Sequence, residues 1–207
     1  MTAAKKNTLL PSLTIGEEAC RDLSRSLELE WLETNGLGGY AACSVAGACT
    51  RRYHGLLVAA QSPPTGRTVL LNKLDETVAV DGATWQLGVN VFPGAVHPAG
   101  HELLQSFHLD PFPRWVFSLG EHRLEKTVFM VYGQNAVAIC YRWLAPDGLP
   151  LEPGRAPGAE LRLRPFVSFR DFHHLRKQNQ ELDSGCIFKD NALVLRPYWA
   201  MPVLTIL

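Results

Sequence analysis

Six carboxylates are candidates for chemistry: Glu30, Glu33, Asp75, Glu76, Asp110 and Asp171. Glycoside hydrolysis uses such groups in pairs, one as general acid and one as base or nucleophile, and their separation in space decides the outcome. Acidic residues are equally at home in turns, so both readings stay open. The seven histidines are His54, His97, His101, His108, His122, His173 and His174. His97 and His101 have the i, i+4 spacing of metal ligands on a helix, but Pro98 and Gly100 forbid that helix. His173 and His174 are adjacent and face apart in an extended chain. No Cys or Asp completes a metal set, and neither a metal nor a cofactor is expected. Gly36-Leu-Gly-Gly lacks the spacing of a dinucleotide loop and the Gly-Lys of a phosphate loop. No Gly-x-Ser-x-Gly elbow occurs.

Two segments are distinctive. Arg51-Arg52-Tyr53-His54-Gly55 opens a strand after a glycine-rich turn and a run of small residues from Ala41 to Ala48. In an extended chain Arg51 and Arg52 point to opposite faces, so one at most enters a site with the neighbours of Tyr53. The arginines suit either of two roles, satisfying backbone carbonyls at the strand start or contacting a substrate or partner. In Asp110-Pro-Phe-Pro-Arg-Trp115 two prolines fix an extended bend and set the directions of Phe112 and Trp115. Such rings fill a core or stack on sugars.

The elements that position these residues are strands. Gly (17) and Pro (14) punctuate the 207 residues too densely for long helices. One short helix is predicted between Gly16 and Ser26, with Glu17 and Glu18 at its start and Arg25 near its end. Leu27 to Leu32 alternates with period two, as a half-buried strand does. Further strands are predicted at 55–60, 68–74, 77–80, 84–89, 102–109, 114–119, 123–131, 136–144 and 160–169. Late pieces at 186–189 and 192–195 flank Asp190-Asn191, and Asp81-Gly82 marks another tight hairpin. Ala145 to Gly158, with four prolines, is a surface loop. Strands alternating with long helices are absent, so the expected fold is all-β, a large antiparallel two-sheet sandwich over 27–207 after an extension at 1–26 that carries the helix. Pro202 to Leu207 reads as a strand in which the sequence stops, so the chain is expected to be a portion of a longer polypeptide.

Twenty Lys plus Arg balance twenty Asp plus Glu. A neutral chain without a basic tail argues against nucleic acid and anionic membrane as partners. The longest apolar runs are about six residues where a spanning helix needs roughly 20. Met1 to Asn7 has two lysines without the apolar stretch of a secretory signal. The five cysteines, Cys20, Cys43, Cys49, Cys140 and Cys186, form no CxxC pair and are odd in number. They read as buried free thiols of a cytoplasmic protein.

Glu30-Trp-Leu-Glu-Thr-Asn-Gly-Leu-Gly-Gly-Tyr with Thr50-Arg-Arg-Tyr-His-Gly-Leu-Leu-Val-Ala resembles the signature of the N-terminal domain of bacterial and archaeal glycogen debranching enzymes of the amylo-α-1,6-glucosidase type. Phe92-Pro-Gly, Pro98-Ala-Gly-His-Glu-Leu-Leu, Phe107-His-Leu-Asp-Pro-Phe-Pro-Arg-Trp and Arg170-Asp-Phe-His-His-Leu agree with it, over roughly residues 28–200. The resemblance implies a β-supersandwich set before an (α/α)₆ barrel, with the glucosidase carboxylates on the barrel. It implies that this domain helps hold branched α-glucan for glucan transfer and α-1,6 hydrolysis. It points to Asn35, Arg51, Arg52, Tyr53, His54, Trp115, Arg170 and His173 as contacts to glucan or to the barrel, the polar groups bonding hydroxyls and the rings offering faces. No barrel is present in these residues, so no turnover by the chain alone is expected, and a face meant for the barrel would favour self-association. A carbohydrate-binding or structural sandwich without catalysis is the competing expectation.

Overall fold

A computed structural model describes residues 12–152 and 154–207. The expected extension lies partly outside the described residues, and the stretch read for a secretory signal lies wholly outside them.

The described chain opens with β1 (Leu13–Gly16), α1 (Glu17–Arg21) and α2 (Leu23–Glu28). One helix was expected here, and Asp22 divides it. Asp22 sits extended (φ −68°, ψ 103°) and its carboxylate accepts from the Arg25 amide at 3.1 Å. A side chain in that position caps a new helix rather than continuing the old one. Its own N–H donates to Glu18 O and closes α1. Because α2 runs to Glu28, the alternation at Leu27–Leu29 does not belong to a strand, and β2 spans Glu30–Thr34.

The remaining strands are β3 (Tyr40–Ser44), β4 (Gly55–Ser62), β5 (Thr65–Val80), β6 (Ala83–Gln86), β7 (Val89–Phe92), β8 (Ala95–Ala99), β9 (Leu104–Leu109), β10 (Pro113–Leu119), β11 (His122–Met130), β12 (Val137–Leu144), β13 (Ala159–Asp171), β14 (Cys186–Lys189), β15 (Ala192–Leu195) and β16 (Leu204–Ile206). One large sheet has the order β1-β9-β10-β11-β12. The other has β13-β5-β4-β3-β2, with β6 beside β5. All their pairings are antiparallel. The protein is therefore an all-β assembly of antiparallel sheets with two short α-helices.

The two large sheets face each other across Trp31, Val78, Trp115, Phe117, Leu124 and Val128, all buried. At the centre Trp115 meets Trp31 and Phe107 edge-on, with centroids 5.3 and 5.1 Å apart. Edge-to-face packing of this kind adds to the gain from burial.

Two strands expected at 68–74 and 77–80 are one, β5. Asp75 and Glu76 do not interrupt it because each meets a cation: Asp75 pairs with Lys73 at 2.7 Å, and Glu76 receives Lys126 from the facing sheet. The β7–β8 hairpin was not expected. It turns at Pro93-Gly94, where Gly94 has φ +76°. The Asp81-Gly82 and Asp190-Asn191 hairpins have both φ values positive, as tight primed turns require. Cys20 and Cys43 are buried, whereas Cys140 and Cys186 are exposed, which corrects the expectation of uniformly buried thiols.

Candidate functional site

Arg51, Arg52, Tyr53 and His54 lie in the connection from β3 to β4. Arg170 and His173 lie where β13 ends. Folding brings these two segments together. Arg52 Nη1 donates to the His173 carbonyl at 2.8 Å, and the Tyr53 hydroxyl lies 3.2 Å from His173 Nδ1. Arg170 donates to the carbonyls of Arg52, Asp171, Phe172 and His174. It is buried, and both of its terminal nitrogens, Nη1 and Nη2, are engaged by backbone. Burial also lowers its pKa from the usual arginine value.

A bulge in β13 aims Arg170. The register with β5 shifts between Val167 and Arg170, and Phe169 takes φ +45° with its ring fully buried. Bulges turn one side chain into the core and redirect the next.

Above this clamp stands an aromatic rim. Tyr53 is half exposed, and its ring lies 5.3 Å from Phe172 and 5.7 Å from His173. Arg67 places its guanidinium 5.4 Å from the Phe172 ring centroid while Nε donates to Gly38 O at 2.6 Å. Tyr40 donates its hydroxyl to Tyr53 O at 2.8 Å. The rim therefore presents rings held in set positions, beside exposed Arg52 and His173.

His54 is buried under the same loop. Its Nδ1 accepts from the amides of Thr50 and Arg51 at 3.2 and 3.4 Å, and its Nε2 lies 3.1 Å from Glu30 Oε1. Two amides aimed at Nδ1 leave the proton on Nε2, which donates to Glu30. Burial lowers the pKa of His54, with Glu30 acting in the opposite sense, so the ring is neutral near pH 7. Arg51 also donates to Glu30. Arg51 and His54 thus fasten the loop to β2.

Asn35 is fully buried and does not reach the rim. Its Oδ1 accepts from Leu37 N and Gly39 N at 2.9 and 3.0 Å. Its Nδ2 donates to Gln134 O and Asn135 Oδ1 at 2.8 and 3.1 Å. Asn135 in turn exchanges two hydrogen bonds with Ala60. The expected sugar contact by Asn35 is corrected accordingly: its amide locks the β2–β3 turn to the β11–β12 loop and to β4. Trp115 is corrected likewise. Its ring is buried between the sheets and its indole N–H donates to Val45 O at 2.8 Å, so no ring face is open to a ligand.

The candidate carboxylates are mostly occupied. Asp75 and Glu76 are neighbours in an extended strand and face opposite ways. Glu76 accepts from Lys126 and, at 2.8 Å, from the Tyr141 hydroxyl. Asp171 accepts from the His173 amide at 2.8 Å and holds its own turn, which lowers its pKa. Glu33 is half-buried, and burial raises its pKa. Among the described residues no group of three or more His, Cys, Asp or Glu is placed to hold a metal ion. No helix among them is long and apolar enough to cross a membrane.

Compared with models of known families, the chain matches the one described as glycogen debranching enzyme N terminal, over residues 29–207. The chain belongs to that family. Comparison with curated proteins and with solved structures gave no match.

The span matched by the glycogen debranching enzyme N-terminal family takes in the 50–54 loop, the 170–174 turn and the whole rim between them. Within this domain, reasoning from sequence missed three contributors. Phe172 stands inside a quoted motif, flanked by polar residues that drew attention away from it. Arg67 and Asn135 carried no sequence signal, since their partners are 29 and 75 or more positions distant.

Proposed function

We propose that this domain binds branched α-glucan and presents it to a C-terminal helical barrel of the same polypeptide, which performs glucan transfer and α-1,6 hydrolysis. Membership in the glycogen debranching enzyme N-terminal family over residues 29–207 carries this reading. The Tyr53–Phe172–His173 rim supports it. Rigid, partly exposed rings beside polar groups suit the apolar faces and hydroxyl edges of glucose units. An uncharged polymer needs no electrostatic steering, in keeping with a chain of zero net charge. The setting is the cytoplasm, where glycogen is stored.

The chain itself acts without catalysis. In support, four of the six candidate carboxylates, Glu30, Asp75, Glu76 and Asp171, are each engaged by structural partners.

Native-gel electrophoresis in glycogen tests the binding. Retardation of the wild-type chain is expected, with weaker retardation of a Tyr53→Ala, Phe172→Ala double variant. An α-1,6-linked substrate should be left unturned by the chain alone. Migration unaffected by glycogen would overturn the reading.

A further inference from the structure

The outer face of the β13–β5–β6 sheet, away from the rim, holds a cleft of about 850 Å³. Ligand pockets run from about 300 to 1,000 Å³. Strand parity builds its floor. Asp75 and Thr77 of β5 line it, with Lys73 buried beside them on the same side of the strand, while Leu74 and Val78 belong to the core. In register across β13, Phe166 lies opposite Lys73, Arg164 opposite Asp75 and Arg162 opposite Thr77. On the other side Gln86 of β6 lies opposite Thr77. The β7–β8 hairpin supplies a wall through Asn90, Phe92 and His97.

The floor is rigid and nearly neutral. Lys73 Nζ bonds Asp75 Oδ1 at 2.7 Å, Asn90 Oδ1 at 2.9 Å and Val89 O at 2.8 Å. Asn90 Nδ2 closes the ring on Asp75 Oδ2 at 2.9 Å. Asp75 Oδ1 is buried with its hydrogen-bonding capacity unfilled apart from the ion pair. Arg162 grips Glu160 through two bonds of 2.8 and 2.7 Å. Arg164 is exposed and pairs with no carboxylate among the described residues. Over this floor stand Phe92 and Phe166, 55% and 39% exposed. Lys73 Nζ lies 5.9 Å from the Phe166 ring centroid and ties that ring to the strand.

Charge pairs within the floor leave little net field, which disfavours a polyanion. The polar lining disfavours a purely apolar ligand. Exposed rings flanking fixed planar donors and acceptors suit an uncharged polyhydroxylated chain, with rings against sugar faces and guanidinium and amide groups on neighbouring hydroxyls. We propose that this cleft is a second α-glucan subsite, separate from the Tyr53 rim. It rests on the glucan reading above. The two sites lie on one strand system: Phe166 pairs with Lys73 and Asp171 with Thr68, five residues apart on β5, or about 16 Å at ~3.3 Å per residue. One branched polymer then engages both, and linked contacts reinforce each other.

Calorimetric titration of the chain with maltohexaose, with cellohexaose as control, tests this. The variants are Phe92→Ala with Phe166→Ala, Arg164→Gln alone, and Tyr53→Ala. The double variant is expected to weaken maltohexaose binding at least tenfold and Arg164→Gln severalfold, each to the same extent with or without Tyr53→Ala. Cellohexaose should bind far more weakly. If wild-type chain binds maltohexaose and the cleft variants bind equally well, the subsite is refuted while the glucan reading stands. If the wild type binds neither sugar, both fall. Equal binding of cellohexaose overturns the α-glucan assignment. Should the double alanine variant fail to fold, exposed Arg164→Gln decides the matter by itself.

Discussion

Arg52 donates to the backbone carbonyl of His173 at 2.8 Å, across 121 positions of sequence. The bond is returned from the other side, since Arg170 donates to the Arg52 carbonyl. Each arginine therefore holds the other segment's backbone, and the rings of Tyr53 and Phe172 are carried between them. The two arginines differ in burial. Arg170 is 6% exposed and serves four carbonyls, whereas Arg52 is exposed.

That difference sets the first prediction. Arg170→Ala strips four carbonyls of a buried, charged donor and is expected to cost about 3 kcal/mol, while Arg52→Ala costs about 1 kcal/mol or less. Arg170→Lys should rescue little, because an ammonium cannot span the carbonyls that a planar fork reaches. Urea unfolding of the three variants checks this. Equal losses for Arg170→Ala and Arg52→Ala would contradict the clamp.

The strands with strong alternation and the two hairpin turns were legible because period and turn chemistry are local. The outcome at Asp22 was not, since a helix-favouring pattern runs straight through it and only the capping bond to Arg25 divides it. At the site, proximity in sequence identified the 51–54 loop. It could not show that Asn35 and Trp115 face inward, because Asn135 and Val45, their partners, come from elsewhere in the fold. A polar residue in a signature loop and an aromatic beside two prolines look the same in sequence whether they meet a ligand or the core.

Glu76 and Lys126 form an ion pair between the sheets, supported by the Tyr141 hydroxyl. With Glu76 3% exposed, the pair is desolvated. Lys126→Met is expected to cost about 3–5 kcal/mol, because it leaves a carboxylate buried without its cation. Adding Glu76→Leu to it should recover most of that loss. A double-mutant cycle by chemical denaturation measures the coupling, and additive losses would refute it. Tyr141 reports on the same site: burial and the Glu76 carboxylate push its phenol pKa far up, so it should not titrate spectroscopically below the alkaline unfolding transition.

Gly39 has no room for a side chain. A Cβ there would lie 2.6 Å from Asn35 Nδ2 and 3.0 Å from both Asn135 Oδ1 and Val58 O. Gly39→Ala is therefore expected to destabilise by about 1–3 kcal/mol through overpacking, and to loosen the Asn35–Asn135 lock. Gly47→Ala is the control for backbone strain. Gly47 has φ +82° with nothing within 4 Å of its Cβ position, so its loss comes from conformation alone. Hydrogen exchange at the Leu37 and Ala60 amides should accelerate in Gly39→Ala and stay unchanged in Gly47→Ala. Equal acceleration in both would show that the lock does not depend on the packing at Gly39.

His54 gives stability a pH dependence with a definite sign. Burial holds its pKa below the ordinary 6.5, more strongly than Glu30 raises it, and Arg51 adds to the lowering. Near neutrality the folded ring is uncharged, and protonating Nδ1 would set an N–H against the amides of Thr50 and Arg51. The unfolded chain takes up a proton as pH falls through about 6.5 and the folded chain does not. The contribution is thus fully present above pH 6.5, declines as pH falls below it, and levels off beneath the depressed folded value. His101 and His108, also lowered chiefly by burial, act in the same direction. Urea midpoints should therefore fall between pH 7.5 and 5.5, a window above the ordinary carboxylate range near 4. His54→Gln should be less stable at pH 7.5 and should show a shallower decline. A decline as steep as that of the wild type would assign the dependence to the other histidines and remove His54 from the account.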